Sequence, residues 1–83
     1  MRLVNVGFGN MAAQERIVSV IAPDSAPVKR MIQEARDASR VIDATAGRRT
    51  RAVLVMDNGF IVLSALQPET IAGRIQSDER EIP

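Results

Sequence analysis

Apolar positions along this chain recur at strand spacing, change once to helical spacing, and then return to strands. Leu3-Val4-Asn5-Val6 predicts a short opening strand, stopped at Gly7-Phe8-Gly9-Asn10, where two glycines favour a tight turn. After Met11 to Glu15, the β-branched run Arg16-Ile17-Val18-Ser19-Val20-Ile21 predicts a second strand that Ala22-Pro23 ends. Val28, Met31, Ile32, Ala35 and Ala38 then recur at spacings of three and four, which predicts a helix with one buried face. Asp24 or Ser25 supplies its cap, and Pro27 falls in the first turn, where a missing N–H costs little. Val41 to Thr45 predicts a third short strand. Arg51 to Met56 and Phe60 to Leu66 predict two more, joined as a hairpin by Asp57-Asn58-Gly59. Pro68-Glu69-Thr70 opens a short final helix through Ile75. The uninterrupted apolar run Ala52-Val53-Leu54-Val55 predicts a strand covered on both faces, one by the helix and one by another subunit.

These elements make one α+β domain over residues 1–75, a small mixed or antiparallel sheet with one main helix and a short C-terminal helix. Residues 76–83 read as a charged, flexible tail. A chain of 83 residues buries only roughly 60–65% of the surface its unfolded form exposes, so its core is marginal alone. It has no cysteine and no histidine, which removes disulfides, the usual zinc ligands, thiol nucleophiles and imidazole acid–base chemistry. Apolar residues make up 46% of the chain, yet Phe8 and Phe60 are its only aromatics. Aliphatic strands with so few large anchors point to a thin subunit packed against copies of itself, a homo-oligomer. No apolar run approaches a membrane span or a signal-peptide core, so the expected location is cytoplasmic.

Charge changes the picture through its position. The net charge is +1, but ten basic residues face seven acidic ones through Ile75, and arginine far outnumbers lysine. Arg48, Arg49 and Arg51 lie within Gly47-Arg48-Arg49-Thr50-Arg51, immediately before the apolar strand. Guanidiniums this close repel one another and stay charged, so an anion in the same field relieves the conflict, although a solvated turn explains these five residues equally well. Arg16 at a strand entrance and Lys29 and Arg30 in the first helical turn add to the basic set, and the latter two oppose the helix dipole. A strand entrance, a helix start and a turn can converge at one edge of a small subunit. Phosphate-gripped duplex DNA suits such a set, whereas single strands are held on aromatic platforms that two phenylalanines do not supply.

Competing chemistry is thinner. Gly7-Phe8-Gly9-Asn10 follows a strand but lacks the later glycine and acidic ribose ligand of a dinucleotide fingerprint, so a structural turn is the better reading. No carboxylate pair splits its pKa values, and Asp43 reads as an ion-pair partner for a nearby arginine. No catalytic residue, metal ligand, cofactor or small-molecule substrate is expected. Two alternatives stay open: an assembly protein whose arginines serve subunit interfaces, and a nucleotide-binding enzyme using Gly7 to Asn10.

Five ordered blocks resemble the RemA family of small bacterial regulators of extracellular matrix genes. They are Asn5 to Asn10, Ser25 to Gln33, Ile42 to Thr45, Gly47 to Val53 and Leu63 to Thr70. The resemblance implies a DNA-binding transcriptional activator of biofilm-matrix operons that forms a ring, an octamer, and wraps double-stranded DNA around its outer surface in a histone-like way. It also implies DNA contact through Arg48, Arg49 and Arg51, with Arg16, Lys29 and Arg30 behind them, and a helix entry set by Pro27. Ala46 stands where the family often has an aromatic residue.

Overall fold

The computed structural model describes the backbone through Glu79 and side chains through Ile75. Its elements are β1 (Leu3–Gly7), β2 (Asn10–Ala13), a 3₁₀ turn (Gln14–Arg16), β3 (Ile17–Ile21), α1 (Ala26–Asp37), β4 (Val41–Asp43), β5 (Ala52–Met56), β6 (Ile61–Ser64) and α2 (Pro68–Glu79). The fold is α+β with two sheets. β1 and β2 form an antiparallel hairpin, while β3-β5-β6-β4 form a four-stranded mixed sheet in which β4 runs parallel to β6.

Strand alternation divides the core into two layers. Cross-strand partners Leu54 and Val62 point to one face, and Val53 with Leu63 and Val55 with Ile61 point to the other. The second face packs under α1, whose Val28, Met31, Ile32 and Ala35 meet Val53, Ile61 and Leu63. The first face meets Val4, Val6 and Ala12 of the hairpin and Ile71 of α2. β5 is therefore covered on both sides by its own chain, and Leu54 is 0% exposed in a single subunit. This corrects the expectation that another subunit covers the second face. Full burial of Leu54, Leu63 and Ile71 contributes about 1.5–3 kcal/mol each.

β2, the second strand of the opening hairpin, is the main element that the apolar pattern does not predict. β2 reads Asn-Met-Ala-Ala, without the β-branched residues that mark strands, and Val4, Val6 and Ala12 settle its place by burial. Ser25 caps α1, its Oγ accepting the Val28 N–H at 3.3 Å, and Pro27 lies in the first turn as expected. The helix stops at Asp37 through a Schellman ending, with Ser39 left-handed and the Arg40 N–H donating to the Ala35 carbonyl at 2.8 Å. At the other end of the chain, α2 continues past Ile75 to Glu79. It thereby takes in the start of the expected tail, of which residues 80–83 lie outside the described residues. The Asp57-Asn58-Gly59 hairpin forms, but as a three-residue loop: Gly59 has φ of 86°, Asn58 stays out of the left-handed region, and the Gly59 N–H reaches the Met56 carbonyl at 3.2 Å.

Ser64 ties the layers together. Its residue is 0% exposed, and its hydroxyl donates to the Val6 carbonyl at 2.7 Å while accepting the Leu66 N–H at 3.0 Å. Ser64→Ala leaves both backbone groups without that partner, which is expected to cost about 1–3 kcal/mol. The melting temperature should fall by roughly 4–8 °C per kcal/mol, read by thermal denaturation with circular dichroism.

Candidate nucleic-acid interface

The arginine segment begins where β4 ends. Asp43 Oδ1 accepts both the Thr45 N–H at 2.9 Å and the Thr45 hydroxyl at 2.6 Å, and Thr45 is 2% exposed. The chain then reverses through Ala46 and Gly47, with φ of 53° and 80°, closed by the Arg48 N–H on the Thr45 carbonyl at 3.0 Å. Positive φ at both central residues marks a primed turn, and Ala46 carries the strain a Cβ imposes there. At the far end, the Arg51 N–H donates to the Ser64 carbonyl at 2.8 Å and starts β5. A short exposed segment is thus pinned at both ends to buried residues.

Arg48, Arg49 and Arg51 project from it and are exposed. Arg49 and Arg51 form a ridge between two clefts: one lined also by Phe8, Arg48, Ala65 and Leu66, the other by Pro23, Asp24, Thr50 and Gln67. Among the described residues, none of the three arginines has a carboxylate within 4.0 Å. Three guanidinium forks on a fixed backbone, without acidic partners, suit a repeating anion such as a nucleic-acid backbone.

A family model for RemA-like chains, described as extracellular matrix regulatory protein A-like, matches residues 3–75. The chain belongs to this family. The RemA-like chain is 57% identical over 79 residues to extracellular matrix regulatory protein A of Bacillus subtilis, covering 95% of this chain and 89% of that one. It is 60% identical over 81 residues to a protein of Dictyoglomus thermophilum named as regulatory, covering 98% and 95% of the two chains. A similarly named protein of Acaryochloris marina is 56% identical over 79 residues, covering 95% and 90%.

The six basic residues singled out in the RemA-like sequence do not all meet. Lys29 and Arg30 are exposed near the start of α1, the helix that follows the Pro23-Asp24 wall of the second cleft. They stand at the same end of the subunit as the arginine segment. Arg16 stands at the other end, because Ile17 pairs with Met56 while Ile21 pairs with Val53. Its distance along β5 from Arg51 is about 20 Å at the rise of a strand. Arg16 also has acidic company, pairing with Asp57 at 3.5 Å in a corner shared with Glu15. The expected convergence of strand entrance, helix start and turn therefore holds for two of the three within one subunit. The missing third follows from the antiparallel β3–β5 pairing, which sets the start of one strand against the end of the other.

One residue of the site escapes the sequence reading, and another takes a different role from the one expected. Phe8 lies at the β1–β2 turn, with the Arg48 guanidinium carbon 5.7 Å from its ring centroid. The signal available was Phe-Gly at a turn, which resembles no familiar hairpin pair. Asp43 was expected to pair with an arginine and instead anchors Thr45, since an Asx-type turn two residues on lies closer than any side-chain cation. The Thr45 hydroxyl, then its N–H, and more weakly the charge of Arg36, hold the Asp43 carboxyl below its ordinary value of 3.8. Because the folded pKa is the lower one, this anchor stabilises fully above 3.8 and is lost as pH falls from there through the folded value. Asp43→Asn, which keeps the acceptor oxygen but cannot titrate, is expected to lose stability less steeply below 3.8 in acid denaturation.

Proposed function

We propose that this chain is a cytoplasmic, non-enzymatic regulator that activates extracellular matrix and biofilm genes by gripping double-stranded DNA with Arg48, Arg49 and Arg51. The observation that carries the reading is the exposure of all three arginines on a pinned segment with no carboxylate partner among the described residues. The printed name of the Bacillus subtilis relative supports the matrix role. Lys29 and Arg30 extend the basic edge toward the helix start. Arg16 joins the same duplex only where a neighbouring copy brings its end of the subunit alongside. No helix among the described residues is long and apolar enough to cross a membrane.

One subunit offers about three phosphate contacts, a logarithmic salt slope of roughly −3, which is a weak grip. Self-association multiplies it. The two edge strands of the mixed sheet each present an apolar side chain, Val18 on β3 at 65% exposure and Ile42 on β4 at 50%. A head-to-tail contact between unlike edges repeats around an axis and closes into a ring. The octameric count, and the wrapping of DNA on the outer rim, follow the family resemblance.

Arg48→Ala with Arg49→Ala tests the reading. The double variant should keep the oligomer mass of the wild type in light scattering, lose its gel shift with duplex DNA, and show a salt slope shallower by about two per subunit. A fall in mass, with a wild type that shifts no duplex, would give the arginines to subunit interfaces instead.

A further inference from the structure

Phe8 occupies a backbone position that its side chain disfavours. It forms the β1–β2 reversal with Gly9, at φ of 53° and 78°, where Asn-Gly is the preferred pair and a bulky residue is an outlier. Burial does not explain it, because Phe8 is 56% exposed. The ring instead faces Arg48, 5.7 Å from centroid to guanidinium carbon, and lines the cleft formed by Arg48, Arg49 and Arg51. An aromatic face attracts a guanidinium without accepting its N–H groups in the plane, so the donors stay available for phosphate. It also restricts a long side chain whose rotamer freedom is otherwise lost on binding.

We propose that Phe8 is a positioning residue, whose ring holds the Arg48 guanidinium in the orientation that grips a DNA phosphate and so makes the β1–β2 turn part of the interface. This rests on the duplex-binding reading above.

Phe8→Asn suits the turn and removes the ring. In the free protein it should raise the mobility of the Arg48 Nε–Hε group in NMR relaxation while leaving the melting temperature equal or higher. Duplex affinity should fall about two- to fivefold, and Phe8→Tyr should restore both affinity and order. In an Arg48→Ala background, Phe8→Asn should cost nothing further. Unchanged Arg48 mobility overturns the assignment, as does wild-type affinity in Phe8→Asn. An equal loss with and without Arg48 overturns it too, since the ring then acts on DNA directly or on the fold. A wild type that binds no duplex, with Arg48 nonetheless ordered by Phe8, overturns the duplex-binding reading and not the ring's hold on the arginine.

Discussion

Fixing mutually repelling cations on a short loop demands a rigid support, and here the support is a pair of buried hydroxyl residues, Thr45 and Ser64. Thr45 closes the turn before the arginines and Ser64 receives Arg51 where β5 begins. Neighbouring guanidiniums in water repel by about 1 kcal/mol or less per pair at contact distances. Each buried hydrogen bond at the two anchors is of similar size, about 0.5–1.5 kcal/mol net. The segment stays in place because its ends belong to the sheet, and the charges can then face outward together. Loosening either end would let the arginines spread apart, and the strained Ala46 would be the first residue to relax.

The double-layered core is what makes this end of the sheet available. α1 closes one face, and the hairpin with α2 closes the other, so β5 needs no partner subunit to bury its apolar run. The exposed large apolar side chains of the mixed sheet lie on its two edge strands, Val18 on β3 and Ile42 on β4. The β3 edge is itself interrupted, since the register slips between Ile17 and Ser19 and turns Val18 outward. A bulge of this kind blunts open-ended strand pairing along a sheet edge.

Much of this was legible in the residues. Helical spacing from Val28 to Ala35, the Ser25 cap and the continuous Ala52–Val55 run located α1 and β5 because local chemistry and tertiary packing agree there. The arginine cluster was legible because it breaks the ordinary balance of charge over four positions. β2 was not, since Met11, Ala12 and Ala13 form a strand only when Val4 and Val6 bring them to the core. Neither was the separation of Arg16 from the other arginines, which depends on the direction in which β3 pairs with β5. The Phe8–Arg48 contact joins two turns forty residues apart in the chain, a closeness that no local pattern encodes.

A salt titration of wild-type binding to duplex DNA, comparing one site with several in tandem, tests the account most directly. Arrayed guanidiniums predict a steep fall of affinity with salt and a gain from tandem sites larger than their number. Binding that ignores salt, or tandem sites that add nothing beyond their count, would contradict it.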